Sequence, residues 1–198
     1  MAGKPQIGVL SLQGDVREHA TLLEGLGADV ALVRRPTELA AVDGLVIPGG
    51  ESTVIDKLSR LFGMQQPIRR AIADGMPMLG TCAGLIMLAD TVVDAIEGQQ
   101  SFGGLDVIVR RNAFGRQIES FEAEIDVPAL GEPKVKAAFI RGPVVEGVGS
   151  RAEVLAALDD GRVVAVEQDG LLGLSFHPEI TGETRFHQRF LDRVALRG

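Results

Sequence analysis

Cys82 is the single cysteine of the 198-residue chain, and it occupies the middle of Gly-Thr-Cys-Ala-Gly at residues 80–84. The apolar residues 76–79 predict a strand before it, so the chain would pass into a helix through a tight, glycine-flanked turn. Such a turn lifts the central side chain clear of the backbone, as the nucleophile elbow does for serine in hydrolases. Free cysteine also occurs as a small buried hydrophobe, so packing and nucleophilic chemistry both explain Cys82.

A nucleophile needs a base, and Ser-Phe-His-Pro-Glu at residues 175–179 offers one at the end of a predicted strand. Pro178 favours an extended backbone at His177. Residues i and i+2 of an extended segment point to the same side, which places Glu179 to reach the ring of His177 and hold its tautomer. The two side chains would then serve Cys82 as base and orienting carboxylate. A capping or surface histidine beside a solvated glutamate is the alternative.

Glycines also end an earlier predicted strand, in Pro-Gly-Gly-Glu-Ser at residues 48–52. The backbone N–H groups of Gly49 and Gly50 can turn toward a ligand there, as an oxyanion hole requires. A plain connecting loop is the alternative, and phosphate binding is disfavoured because no glycine-rich phosphate motif is present. Ligands of open α/β sheets bind outside the carboxyl ends of the strands. We expect Cys82 and both glycines there, with His177 if its strand runs parallel to the others.

The first half of the chain alternates apolar strand-like runs with helical patterns. This alternation predicts an α/β fold with three layers, in which helices flank a mostly parallel central sheet. Asp15 with Glu18 resembles a capping box, and Ser52 resembles a helix N-cap. The predicted strands are 6–12, 28–33, 44–47 and 76–79, and the predicted helices are 15–26, a segment from Ser52, 67–73 and 83–89.

The second half predicts an antiparallel section, because short strands follow one another across gaps of turn length. A closing helix over 182–196 carries Phe186, Phe190 and Val194 on one face. No linker or internal repeat interrupts the pattern, so we expect a single domain over residues 1–198. The predicted strands of this half are 105–110, 120–125, 136–140, 153–157, 162–167 and 171–176.

Composition excludes several classes of function. The net charge of −7 and the pI near 5.0 argue against nucleic-acid binding, which uses a basic face. The apolar runs are too short and too interrupted to span a membrane, and the N-terminus lacks the apolar core of a signal peptide. With a single cysteine, these features predict a cytoplasmic protein with no nucleic-acid or membrane partner.

Residues 48–52, 80–84 and 176–179 together resemble the motifs of class I (triad) glutamine amidotransferases. The resemblance is closer still to the glutaminase subunits of pyridoxal 5′-phosphate synthases, and it extends over nearly the whole chain. The blocks that carry it are 8–15 with His19, 110–115 with 120–122, and 139–143.

The resemblance implies the reaction and its residues. The chain would hydrolyse L-glutamine to L-glutamate and ammonia without a metal or organic cofactor, with catalytic roles for Cys82, His177 and Glu179. The oxyanion of the intermediate would be held by the backbone N–H groups of Gly50 and Ala83.

The resemblance also implies a binding site for free glutamine. Arginine suits its α-carboxylate, because the planar guanidinium can bind two oxygens at once. Gln13 would lie at the mouth of the site and sense the partner. His19 and His187 are interpreted as structural or surface residues, and Arg110 as a surface charge. The substrate-binding residues would be Gly49, Gly50, Glu51, Arg111, Ile140 and Arg141.

The implied partner is a (β/α)₈-barrel pyridoxal 5′-phosphate synthase subunit that uses the ammonia. Two alternatives remain open from the sequence. One is the amidotransferase subunit of another pathway, whose triad motifs would look similar. The other is a stand-alone cysteine hydrolase of γ-glutamyl compounds, which would need no partner. A non-catalytic module is disfavoured, because it has no need of Cys82, His177 and Glu179 together.

Overall fold

The computed structural model describes residues 4–111 and 120–197. Within this part of the chain, twelve strands form one ten-stranded sheet and one two-stranded sheet. The strands are β1 (Gln6–Leu10), β2 (Asp29–Val33), β3 (Gly44–Ile47), β4 (Met78–Thr81), β5 (Ala89–Val93), β6 (Leu105–Arg110), β7 (Phe121–Ile125), β8 (Val135–Phe139), β9 (Val144–Val148), β10 (Glu153–Ala157), β11 (Val163–Gln168) and β12 (Leu171–Leu174).

Helices connect the strands of the first half and close the chain. They are α1 (Val16–Gly25), α2 (Pro36–Leu39), α3 (Ser52–Leu61), α4 (Gln65–Ala73), α5 (Ala83–Leu88), α6 (Pro178–Thr181) and α7 (Arg185–Ala195). A single 3₁₀ turn lies at Pro128–Leu130. No helix among the described residues is long and apolar enough to cross a membrane.

The large sheet is parallel on one side and mixed on the other. Its strands lie in the order β2-β1-β3-β4-β12-β11-β9-β6-β5, and β10 also pairs with β11, outside this order. The five strands from β2 to β12 are parallel, and the pairs that β11 and β9 make are antiparallel. The predicted fold class, a mostly parallel α/β sheet with an antiparallel section in the second half, is therefore confirmed.

The register of the central strands aligns the ends that carry the predicted site. β12 runs parallel to β4, and Leu174 lies opposite Thr81. β3 is the other neighbour of β4, with Ile47 opposite Gly80. Cys82, the loop after Ile47 and the segment after Leu174 thus leave the sheet at one edge. We expected His177 at this edge only if its strand ran parallel to the others, and β12, which precedes His177, is parallel to β4, which precedes Cys82.

Two buried apolar clusters cover the two faces of the sheet. On β3, Val46 belongs to one cluster while its neighbours Leu45 and Ile47 belong to the other, as the two-residue period of a strand requires. The first cluster includes residues of α1 and α7, and the second includes residues of α3, α4 and α5. This arrangement is the three-layer packing that the apolar strands predict.

Several local predictions are wrong. The predicted closing helix over 182–196 is present as α7 but begins at Arg185, because Gly182 adopts a left-handed backbone (φ 72°) that ends the short α6, a helix that the sequence patterns missed. Asp15 makes no capping bond at the start of α1. The N-cap of α3 is Glu51, whose carboxylate accepts from the backbone N–H of Thr53, so Ser52 is the first helical residue. The sequence patterns also missed α2, β5 and β9.

Candidate active site

Cys82 forms the corner between β4 and α5. Its backbone has φ 50° and ψ −105°, a left-handed conformation that a side chain rarely adopts and that stores strain. Its N–H donates to the carbonyl of Leu174 on the neighbouring strand at 2.7 Å. A Cβ on Gly84 would collide with the carbonyl of Ile47, so only glycine lets α5 approach β3 this closely. The turn thus holds the thiol at the carboxyl edge of the sheet.

His177 and Glu179 form a buried pair. The Nδ1 atom of His177 lies 2.6 Å from Oε1 of Glu179, and the side chains are 5% and 0% exposed. The predicted contact is present, but its predicted geometry is wrong. The chain does not continue extended past His177. It enters α6 at Pro178, and Glu179 bends back to the ring from the first turn of that helix.

The protonated, positively charged form of the His177 ring is strongly favoured. Burial lowers the pKa of the ring, but hydrogen bonds with Asp15, Cys82 and Glu179 outweigh burial and raise it to about 12. Burial also raises the pKa of Glu179, against the opposing hydrogen bond from His177. The ring is thus placed between a thiol on one side and carboxylates on the other. This arrangement can take a proton from Cys82 and stabilise the resulting charge pair.

Asp15 is a site residue that sequence reasoning missed. Its Oδ2 atom lies 3.4 Å from Nδ1 of His177, so a second carboxylate faces the atom that Glu179 binds. One ligand atom from each of Asp15, His177 and Glu179 lies within 4.8 Å of the others, a grouping compatible with a metal ion. A metal on Nδ1 would displace the hydrogen bond to Glu179. The absence of a metal remains a prediction.

The loop at Gly49 and Gly50 packs directly against the catalytic candidates. A Cβ on Gly49 would collide with the ring of His177, and one on Gly50 with the amide oxygen of Gln13. The same oxygen of Gln13 accepts from the N–H of Glu51 at 2.7 Å. Gln13 therefore joins the segment after β1 to the predicted oxyanion loop. Ala83 begins α5, where backbone N–H groups have no partner within the helix.

Arg111 and Glu51 are paired with each other. Arg111 is 8% exposed, and its Nη2 atom lies 3.0 Å from Oε1 of Glu51. Its Nη1 atom donates to Oε1 of Gln99 at 2.7 Å. The amide nitrogen of Gln99 in turn donates to the hydroxyl of Ser52. Gln99, which no sequence pattern singled out, thus fixes the guanidinium at the head of α3.

Of the remaining predicted site residues, Ile140 lies beside Cys82. The carbonyl of Ile140 is 4.0 Å from Sγ of Cys82, and the exposed Arg141 follows with φ 46°. Arg110 is partly exposed and pairs with Asp94 and Glu146, in agreement with its interpretation as a surface charge. The predicted motif residues Asn112, Ala113, Phe114 and Gly115 lie outside the described residues.

His19 and His187 are both fully buried, so a surface position is wrong for either. Nδ1 of His19 and Nε2 of His187 share a hydrogen bond of 2.8 Å. Nε2 of His19 lies 3.1 Å from the hydroxyl of Thr81 and 3.6 Å from Oε2 of Glu179. The sequence did contain a signal for the burial of His19. Leu23 follows it by four residues, so the two side chains lie on the same face of α1.

The family model described as "SNO glutamine amidotransferase family" matches residues 9–196. The chain is 65% identical over 194 residues to the pyridoxal 5′-phosphate synthase subunit PdxT of Leifsonia xyli subsp. xyli, covering 98% of each. It is 59% identical over 190 residues to the subunit PdxT of Streptomyces avermitilis, covering 96% of this chain and 94% of that protein. A crystal structure of a glutamine amidotransferase aligns with a TM-score of 0.89 and 44% identity, covering 96% of this chain and 98% of the other.

Proposed function

Because the chain belongs to the SNO glutamine amidotransferase family, we propose that it is the glutaminase subunit of a pyridoxal 5′-phosphate synthase. It hydrolyses L-glutamine to L-glutamate and ammonia and serves vitamin B6 biosynthesis. The observation that carries the catalytic assignment is the buried pair of His177 and Glu179, whose Nδ1 and Oε1 atoms are 2.6 Å apart, beside Cys82 at the carboxyl edge of the sheet.

In the proposed mechanism, His177 takes the proton of the Cys82 thiol and the thiolate attacks the side-chain amide carbon of glutamine. The backbone N–H groups of Gly50 and Ala83 hold the oxyanion, and losing one such donor costs about 3 kcal/mol of transition-state stabilisation. His177 then protonates the leaving ammonia. Water attacks the γ-glutamyl thioester, glutamate leaves, and the proton returns to Cys82. Glu179 holds Nδ1–H of His177 throughout.

The proposed glutamine site uses Gly49, Gly50, Glu51, Arg111, Ile140 and Arg141. Arg111 and Glu51 carry the opposite charges of a free amino acid's α-carboxylate and α-ammonium groups, which suits them to those groups of glutamine. Their ion pair and the hydrogen bond from Arg111 to Gln99 support this assignment, because they hold the guanidinium and the carboxylate in place before substrate binds.

We propose a (β/α)₈-barrel synthase subunit as the partner that receives the ammonia, and the cytoplasm as the site of action. Gln13 is the proposed sensor of that partner. Its bond to the N–H of Glu51 supports this role, because a shift of Gln13 would move the oxyanion loop. We propose that the chain acts as one domain, since the large sheet takes strands from both of its halves.

The test is glutamine hydrolysis by the full chain, with and without the barrel synthase subunit. We expect weak activity alone, strong stimulation by the synthase, and a loss of at least about 10³-fold in Cys82→Ala. Asp159→Asn, at an exposed turn, is the matched control and should keep wild-type rates. Wild-type turnover in Cys82→Ala would refute the mechanism. Full activity without any synthase would favour the stand-alone γ-glutamyl hydrolase.

A further inference from the structure

The carboxylate of Glu179 is only half explained by the catalytic triad. Its Oε1 atom binds His177, but its Oε2 atom is buried and has no hydrogen-bond partner among the described residues. A buried carboxylate oxygen without a donor favours protonation, and a protonated Glu179 no longer holds His177 as a base. The group that faces Oε2 therefore matters for the reaction.

That group is His19, whose Nε2 atom lies 3.6 Å from Oε2 of Glu179. It comes from α1, whereas Glu179 lies on α6. The titratable groups around the pair come from several elements: His177 and Asp15 face Glu179, and His187 from α7 faces His19, with Glu183 beside His187. No arginine or lysine among the described residues makes an ion pair with Glu179. The imidazole of His19 is thus the available source of a donor.

Both imidazoles are neutral at physiological pH. Burial lowers the pKa of His19 well below its ordinary value, and the neighbouring His187 lowers it further. Burial also lowers the pKa of His187, to about 4. A neutral imidazole has one N–H and one acceptor nitrogen, so the shared hydrogen bond couples the two rings. If Nε2 of His19 carries its hydrogen, Nδ1 accepts, and Nε2 of His187 must donate.

We propose that His19 is a positioning residue for the catalytic triad. Its Nε2–H lies toward the hydroxyl of Thr81 at 3.1 Å and presents its positive end to Oε2 of Glu179 at 3.6 Å, a tautomer in which Nδ1 accepts from Nε2–H of His187. The inference rests on the proposed glutaminase function. The donor opposes the effect of burial on Glu179, keeps that carboxylate ionised, and so keeps His177 oriented with a free Nε2 toward Cys82.

The alternative is that the two rings only fill space beneath the sheet. Two variants separate these roles. His19→Leu removes the donor, whereas His19→Gln puts an amide N–H close to the position of Nε2. We expect His19→Leu to lower kcat with glutamine and synthase by about ten-fold or more, with KM little changed, and His19→Gln to recover most of the loss. In His19→Leu, the acid limb of the kcat–pH profile should move to higher pH.

Two readouts do not depend on glutamine hydrolysis. In the wild-type chain, nitrogen NMR shifts should report the Nε2–H tautomer for both His19 and His187. The rate at which iodoacetamide alkylates Cys82 should fall in His19→Leu and recover in His19→Gln. Thermal unfolding of both variants shows whether they fold. If His19→Leu does not fold, the wild-type tautomers and the alkylation of His19→Gln still test the inference.

A wild-type His19 protonated on Nδ1 would overturn the inference. So would a folded His19→Leu with unchanged kcat, acid limb and alkylation rate, because a space-filling role predicts only a change in stability. If the tautomers and Cys82 alkylation follow expectation but the chain fails to hydrolyse glutamine, the proposed function fails instead and the positioning of the triad by His19 stands.

Discussion

His187 makes the free energy of unfolding of the chain depend on pH in the acid range. The ring is fully buried, and burial lowers its pKa from 6.5 to about 4. Between these values the unfolded chain binds a proton that the native chain does not. The free energy of unfolding therefore falls as the pH falls. Replacement by a group that does not titrate, His187→Gln, should remove this contribution.

The expected size follows from the two pKa values. Acidification from pH 7 to pH 5 should remove about 2 kcal/mol of unfolding free energy through His187, and acidification below its native pKa about 3 kcal/mol. His177 titrates in the opposite sense, because its native pKa is raised to about 12. It is present in both proteins and cancels in the comparison. His19 largely cancels too, because burial, the main cause of its lowered pKa, is kept in the variant, although the smaller effect of His187 on that pKa is lost.

The assay is urea unfolding of wild type and His187→Gln at pH 7, 6 and 5, followed by circular dichroism. Whatever the offset between the two proteins at pH 7, wild type should lose about 2 kcal/mol more than the variant by pH 5. Parallel plots of unfolding free energy against pH would refute the reasoning, since they would mean that His187 has the same pKa folded and unfolded. That result would also contradict the inference that His19 and His187 are both neutral in the native protein.

Three further outcomes are expected. Glu179→Gln should lower kcat for glutamine about 10³- to 10⁴-fold in a steady-state assay with synthase, because an amide can stabilise the wrong tautomer of His177; a loss under ten-fold would contradict the triad. Gly84→Ala should cost about 3 kcal/mol or more in urea unfolding because its Cβ meets a backbone carbonyl, whereas Gly25→Ala, in open space at the end of α1, should be neutral or stabilising by up to about 1 kcal/mol. Glu167→Gln should cost about 2 kcal/mol at pH 7, because the buried carboxylate accepts from two arginines of α7 that are partly exposed. Two arginine hydrogen bonds outweigh burial and lower its pKa, so this deficit should shrink below pH 4.5 in acid unfolding titrations, and a constant deficit would refute the assignment.

The sequence predicted the buried strands where a local run of apolar residues indicates them. The all-apolar runs around Val46 and Leu79 indicate strands covered on both faces, and the structure buries both residues completely. Boundaries were less predictable. The closing helix is predicted from 182, whereas α7 begins at Arg185, and the four-residue α6 before it is too short to show a helical period. The strand β5 begins at Ala89 directly after α5 ends at Leu88, with no glycine or proline between them, so the sequence does not mark where one ends.

The candidate site divides in the same way. Cys82 and the pair His177–Glu179 stand out because each lies in a short motif whose residue types and spacing suit nucleophile and base chemistry. Asp15, His19, His187 and Gln99 carry no such signal. Asp15 has the local pattern of a helix cap, but at this position its carboxylate is more favourably placed near the His177 ring. Tertiary contact overrides the local preference.

Residue type and spacing alone thus predict a candidate cysteine nucleophile, with a candidate histidine and acid, and a mostly parallel α/β fold, because these depend on neighbours within a few residues. Only the tertiary structure decides what surrounds them. The parallel register of β12 with β4 brings residues 82 and 177 to one edge, and α1 and α7 bring two neutral imidazoles behind Glu179. Such contacts join residues far apart in the chain, and burial, which sets their pKa values, exists only once the layers have packed.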